Sequence, residues 1–261
     1  MVTAIVPAAG KGARFDSKKK KLFVLLEKKP LLFYSLATLS NSSFIDDVIL
    51  VVERNNVTAA ERLIKECRIS KVKAIIPGGR TRQDSVVLGL KKIDPLCDFV
   101  FIHDGARPFL TEELIKKVVL ALKKYYAIVV GLPIADTIKK VTPSLFVKST
   151  AKREFFWTVQ TPQAFKASII QRAYQKAKKD HFLATDSASL VERIGIPVRI
   201  IRGEPYNIKI TTKDDFLLAQ AILKTSNKEL YHEITKYRRH ERKNKYSPQS
   251  HGDTEFTKNY K

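Results

Sequence analysis

The sequence predicts a doubly wound α/β fold with a mostly parallel sheet, and three observations carry that prediction. Short apolar runs rich in β-branched residues alternate with stretches of helical periodicity through the first half of the chain. The runs are apolar throughout rather than alternating, which marks strands covered on both faces. Gly and Pro punctuate the ends of the runs and not their interiors. In order, residues 3–7 read as a strand, and Leu31, Leu32, Tyr34, Ser35 and Leu39 lie on a helical stretch. A strand at 48–52 precedes a helix at 57–67, and a strand at 72–76 precedes a helix at 85–93. A strand at 99–102 is followed by a helix at 112–124 behind Thr111 as its cap, then by a strand at 127–132.

The pattern then changes. Residues 136–152 alternate imperfectly around Thr142, Pro143 and Ser144. They read as an antiparallel hairpin arm standing off the sheet, with a long loop as the alternative. Helices follow at 167–178 and 187–194, with strands at 198–201 and 208–210. A last helix starts at Thr212, where Asp215 completes something close to a capping box, and runs to about residue 224. This gives one domain over 1–225, with the arm at about 136–153. Beyond it, Leu230, Ile234 and Tyr237 form a weak helical stripe. From His240 the chain is polar and basic, and disorder is expected there. No internal repeat is found.

Composition bounds the chemistry. Among 261 residues, 44% are hydrophobic and 28% charged, an ordinary globular balance. Lys and Arg number 48 against 26 Asp and Glu, a net charge of +22, which favours a polyanionic ligand. The segment after Ser226 carries nine Lys/Arg and five Asp/Glu, so the excess is spread through the folded part. Cys67 and Cys97 form no C-x-x-C pair, which excludes a disulfide scaffold and a structural zinc site. His181, His232, His240 and His251 have no metal-ligand spacing. Neither a signal-like leader nor a membrane-length apolar run is present, so a cytoplasmic protein is expected, without membrane partners.

In an open parallel sheet, ligands bind beyond the carboxyl ends of the strands. Three strand ends here carry unusual loops: Pro7-Ala8-Ala9-Gly10-Lys11-Gly12-Ala13-Arg14, Pro77-Gly78-Gly79-Arg80-Thr81-Arg82 and His103-Asp104-Gly105-Ala106-Arg107-Pro108. In the first, small residues and glycines let backbone N–H groups approach a phosphate chain, or simply make a tight turn. It is neither a dinucleotide fingerprint nor a Walker A loop, because both need glycine where Phe15 stands. Arg14 and the run Lys18, Lys19, Lys20, Lys21 add cations; a solvated charge run is the alternative. Asp104, just past an apolar strand, suits a magnesium anchor or a sugar-hydroxyl partner, or else a turn cap. His103 reads as structural, since no nucleophile motif accompanies it.

Seven segments together resemble the 2-C-methyl-D-erythritol 4-phosphate cytidylyltransferase family of the nonmevalonate isoprenoid pathway. They are PAAGKGAR at 7–14, GGRTRQDSVVLGL at 78–90, HDGARPF at 103–109, DTIK at 136–139, WTVQTPQAF at 157–165, TDSAS at 185–189 and NIKIT at 207–211. The resemblance implies a Rossmann-like nucleotidyltransferase that moves a cytidylyl group from CTP to a sugar-alcohol phosphate, with Mg2+ and release of pyrophosphate. It implies that Arg14 and Lys21 stabilise the transition state at the α-phosphate. It places Ala8, Ala9, Gly10, Gly12, Gly79, Arg82, Ser85 and Asp104 around the nucleotide, with Asp104 the metal candidate. It places Arg107, Asp136, Thr137, Arg153, Thr161, Thr185 and Lys209 around the acceptor. Arg153 and Lys209 also count as catalytic, and the arm is expected to carry Thr137 and Arg153 into the partner's site in a homodimer. The attacking group is already anionic, so in-line positioning and charge neutralisation suffice.

The chain departs from the family pattern in places. Lys20-Lys21-Leu22 replaces Pro-Lys-Gln, which leaves Lys20 as the alternative to Lys21. Ser187 replaces an acidic residue, and Arg202-Gly203 replaces Glu-Gly, both on the acceptor side. Ribitol 5-phosphate cytidylyltransferase is the neighbouring alternative; Pro7-Ala8-Ala9 and Trp157 look more like the methylerythritol enzyme. A nucleic-acid-binding protein is the remote alternative, since phosphate contacts alone give only non-specific binding.

Overall fold

The computed structural model describes residues 1–10, 14–15 and 21–225. Gly12, Lys18, Lys19, Lys20 and the expected tail at 226–261 lie outside the described residues. Strand β1 (Val2–Ala8) is buried along nearly its whole length. A short 3-10 turn (Lys21–Phe23) leads into a ribbon of β2 (Leu25–Leu26) and β3 (Lys29–Pro30). Strands of two residues show no periodicity and carry no sequence signal. Helix α1 (Leu31–Asn41) buries Leu31, Leu32, Leu36 and Leu39 completely and is apolar nearly all round. Such a helix belongs inside the protein.

Strand β4 (Asp47–Val52), helix α2 (Val57–Glu66) and strand β5 (Val72–Pro77) follow as expected. Helix α3 (Arg82–Leu90) starts three residues before the expected position. The reason is a capping box: the Thr81 hydroxyl accepts from Asp84 N at 3.0 Å, and the Asp84 carboxylate accepts from Thr81 N at 3.0 Å. Strand β6 (Phe99–Ile102), helix α4 (Glu112–Leu122) and strand β7 (Ala127–Pro133) come next, with Thr111 capping α4 through Leu114 N. Strands β8 (Lys139–Val141) and β9 (Val147–Thr150) pair antiparallel as the arm, which excludes the long loop.

Strand β10 (Trp157–Lys166) was legible only as a motif, because Pro162 and two glutamines interrupt its apolar pattern. Helices α5 (Ala167–Lys179) and α6 (Ser187–Arg193), strand β11 (Arg199–Arg202) and helix α7 (Lys213–Thr225) complete the chain. The Asp215 carboxylate caps α7 by accepting from Thr212 N at 2.7 Å. The strand expected at 208–210 does not form. Its hydrogen bonds go to loops instead of a ladder, as Ile210 N shows by donating to the Ala106 carbonyl.

The seven-stranded sheet runs β11-β7-β10-β6-β1-β4-β5. Strand β10 is antiparallel to both neighbours, and the other pairings are parallel. Helices α3, α5 and α6 pack on the sheet through Val86, Ile170, Leu190 and Val191, against Ile5, Ile49, Ile102 and Phe165. From β1 the chain steps outward to β4 and β5, then returns to the other side of β1 as β6. That reversal opens a crevice at the carboxyl ends of β1 and β6, where a doubly wound sheet takes its ligand. The chain divides into a unit at Met1–Gln220 and another at Ala221–Lys261; the crevice belongs to the first. Among the described residues no helix is long and apolar enough to cross a membrane.

Candidate active site

The loops after β1, β5 and β6 meet over a cleft of about 720 Å³, within the size range of small-molecule sites. Backbone makes much of its floor. A Cβ on Gly78 would collide with the Ala9 Cβ, and one on Gly79 with the Asp84 Cβ. Only glycine lets these loops close together. The Ser85 hydroxyl donates to the Thr81 carbonyl at 3.0 Å and accepts from Gly79 N at 3.3 Å, tying the β5 loop to α3. Behind the β6 loop, buried Ser35 of α1 donates to the carbonyls of Arg107 and Gly105.

Asp104 sits at the centre of the charge pattern. Its Oδ1 accepts from Arg82 Nε at 3.1 Å, and its Oδ2 meets Lys209 Nζ at 2.8 Å. Burial alone would raise this carboxyl. The guanidinium of Arg82 and the ammonium of Lys209 outweigh burial and hold it well below the usual carboxylate range. Arg82 reaches back to the Ser187 hydroxyl at 3.3 Å, which in turn bonds the Tyr174 hydroxyl at 2.8 Å. Beside Asp104, burial lowers His103 to about 4, so it is neutral. Its Nε2 bonds the Arg107 carbonyl and its Nδ1 faces the Thr161 hydroxyl, which accepts from Asp104 N.

Lys21 donates to the Ile210 carbonyl at 2.8 Å. Burial, then the neighbouring Lys209 and Arg14, lower its pKa, against the opposing pull of Asp104 and Asp215. Among the described residues, six cations line the cleft (Arg14, Lys21, Arg54, Arg80, Arg82 and Lys209) against two carboxylates, Glu53 and Asp104. The cleft is therefore strongly positive and suits a polyphosphate.

The cleft brings together Ala8, Ala9, Gly10, Arg14, Lys21, Gly79, Arg82, Ser85, Asp104 and Lys209 from the sequence-based candidates. Arg107 and Thr161 do not line it. Both are buried behind its wall, Arg107 with Nη1 on the Asn207 carbonyl at 2.6 Å. Thr185 is exposed and outside the cleft. Asp136, Thr137 and Arg153 are exposed on or beside the arm, and Arg153 donates to the Ala135 carbonyl. Gly12 lies outside the described residues. Sequence reasoning missed Glu53 and Arg54, which enter the cleft from the end of β4. That strand end carries no glycine, so nothing flagged it; the strand-end rule applied to every strand would have found it. Among the described residues no three His, Cys, Asp or Glu side chains cluster to hold a metal.

A family profile described as 2-C-methyl-D-erythritol 4-phosphate cytidylyltransferase matches residues 2–225. A protein of that name from Syntrophus aciditrophicus is 43% identical over 224 residues, covering 85% of this chain and 96% of its own. Another, from Dictyoglomus thermophilum, is 43% identical over 230 residues, covering 86% and 97%. The crystal structure of 4-diphosphocytidyl-2C-methyl-D-erythritol synthase from Anaerococcus prevotii superposes with a TM-score of 0.77 at 32% identity, covering 86% of this chain and 96% of that one. The Thermus thermophilus 2-C-methyl-D-erythritol 4-phosphate cytidylyltransferase superposes with a TM-score of 0.70 at 29% identity, covering 85% and 98%.

Proposed function

Because the chain belongs to the 2-C-methyl-D-erythritol 4-phosphate cytidylyltransferase family, we propose that it joins CTP to 2-C-methyl-D-erythritol 4-phosphate. An oxygen of the acceptor phosphate attacks the α-phosphorus of CTP in line. The bond to the β-phosphate oxygen breaks, and pyrophosphate leaves with that electron pair. The products are 4-diphosphocytidyl-2-C-methyl-D-erythritol and pyrophosphate. The observation that carries this reading is the convergence of Arg14, Lys21 and Lys209 on a cleft floored by Gly-rich backbone. The attacking oxygen is already an anion and needs no general base. Arg14 and Lys21 neutralise the charge that gathers at the α-phosphate, Lys21 held in place beforehand by the Ile210 carbonyl. Arg82 and Lys209 hold Asp104 ionised and fixed beside the nucleotide.

The residues fit a magnesium ion brought in by the nucleotide rather than one caged by the protein. Magnesium commonly takes one carboxylate and completes its shell with phosphates and water, and Asp104 would supply that carboxylate by exchanging its contact with Arg82 or Lys209 for the ion. When bound, the ion would neutralise part of the triphosphate charge. We infer a homodimer as the working form. The arm exposes Leu145, Phe146 and Val147, with 74% of Phe146 open to solvent in the single chain. Exposed apolar surface of that kind marks an interface. In a two-fold pair the arm would bring Thr137 and Arg153 to the partner's cleft, where Arg153 clamps the acceptor phosphate.

The test is purified protein with CTP, magnesium and methylerythritol phosphate, scored by pyrophosphate release. Turnover with CTP well above that with ATP or GTP is expected. Equal turnover of all three nucleotides, or preference for ribitol 5-phosphate as acceptor, overturns the reading.

A further inference from the structure

Asn207 is completely buried and lies two residues before Lys209. Its side-chain amide donates to the Thr161 carbonyl at 2.7 Å and to Gln160 Oε1 at 3.4 Å. Its own carbonyl accepts from Arg107 Nη1 at 2.6 Å. Thr161 in turn accepts from Asp104 N, so the same contacts reach the loop that carries Asp104. Downstream, Ile210 N donates to the Ala106 carbonyl at 2.9 Å. Between these two anchors the chain has no ladder to hold it, because 207–210 joins no sheet.

Both lysines assigned to the phosphates depend on this short segment. Lys209 projects from it onto Asp104 at 2.8 Å, and Lys21 donates to the Ile210 carbonyl at 2.8 Å. A shift of the segment therefore moves Lys209 directly and takes away the acceptor that orients Lys21. Resting on the cytidylyltransferase reading above, we propose that Asn207 is a positioning residue for nucleotidyl transfer, setting Lys209 and Lys21 through the 207–210 segment. It touches no substrate. Its buried amide replaces the sheet ladder that would otherwise fix the register of this strand-like stretch. An unladdered segment with one side chain as its pin is sensitive to that side chain, and misplacing a catalytic group by about 1 Å costs on the order of 100-fold in rate.

The experiment is a double-mutant cycle with an independent structural readout. Asn207→Ala should lower kcat by about 10- to 100-fold while the KM for CTP changes less than about threefold. In a Lys209→Ala background the same substitution should cost less than about threefold, since the group it positions is gone. Asn207→Leu is close in size, carries no charge and leaves the backbone carbonyl contact with Arg107, but lacks the donation to Thr161; it should reproduce the kcat loss and serves if the alanine variant does not fold. Competitive acylation of the lysines in the ligand-free protein, read by mass spectrometry, should rise severalfold at Lys21 and Lys209 in the variant. Lys73 and Lys176, paired with Asp47 and Asp180, are the internal standards. Additive kcat losses, or unchanged labelling at Lys21 and Lys209, overturn the proposal. If the wild type itself turns over no CTP, the functional reading falls, and the labelling alone still decides the role of Asn207.

Discussion

The floor of the cleft and the arm are built by opposite means. On the floor, Asp104, Arg82, Lys209 and His103 are fixed by short bonds among themselves and to buried partners such as Thr161 and Ser187. On the arm, Lys139, Lys140 and Val141 are all exposed, as are the four residues of the opposing strand. The floor pays for its buried charges with partners inside the same chain, whereas the arm leaves apolar side chains without cover. A buried charge is stable only if its partners are already in place, and here those partners come from the same chain. Exposed Leu145 and Phe146 are costs that only a second surface removes. The difference separates a preorganised charge array from an exposed arm proposed to dock on a partner, and each side of it can be broken independently.

The largest effect is expected on the floor. Arg14→Ala and Lys21→Ala should each lower kcat by roughly 100-fold or more, with a much smaller change in the KM for CTP, because in the proposed mechanism their charge acts mainly in the transition state. Steady-state kinetics checks this. A nearly silent Lys21→Ala beside a crippled Lys20→Ala would move the catalytic role by one residue.

The second effect tests how firmly the floor is buried. His103 in the folded protein titrates at about 4, against an ordinary value of 6.5. Between those values the unfolded chain holds the proton and the folded chain does not, so stability falls as pH falls through the window. The loss should amount to about 3 kcal/mol between pH 6.5 and 4. Chemical denaturation across that range, in magnesium-free buffer, should show a shallower pH slope for His103→Gln than for the wild type. Equal slopes would mean that His103 is not a buried neutral group.

The third effect tests the arm. Inactive Arg14→Ala and Arg153→Ala chains, unfolded and refolded together, should recover about a quarter of wild-type activity. Half of the dimers are then mixed, and one of their two sites is intact. A mixture that stays dead, while wild-type chains refold normally, would place Arg153 in its own subunit's site or in none. The smallest effect is expected at the other end of the sequence. Residues 240–261 lie beyond the family match at 2–225 and hold few large apolar groups. Deleting them should leave Tm and kcat almost unchanged; a fall in either would show that they pack or assist.

Local chemistry in the sequence determined the alternation of strands and helices, the Gly-rich loops at three strand ends, and the Thr111 and Asp215 caps. Each depends on neighbours within a few residues, where periodicity and turn chemistry act. The same locality made Arg14, the lysine run at 18–21 and Asp104 visible as candidates, whereas Lys209 and the choice of Lys21 came only from the family resemblance. Tertiary structure alone decided the rest. Strand β10 runs against its neighbours because the chain returns from the arm on the side of β6 and β7, which no local pattern encodes. Arg107 and Thr161 turned inward because α1, β10 and the 207–210 segment close over the β6 loop and offer them buried partners. The segment at 208–210 has the composition of a strand but pairs with none, and Ile210 instead bonds Ala106 and Lys21. Arg54 and Glu53 joined the cleft through the parallel register of β4 beside β1. Contacts of this kind join residues far apart in the chain, and their free energy depends on the packed whole rather than on any window of sequence.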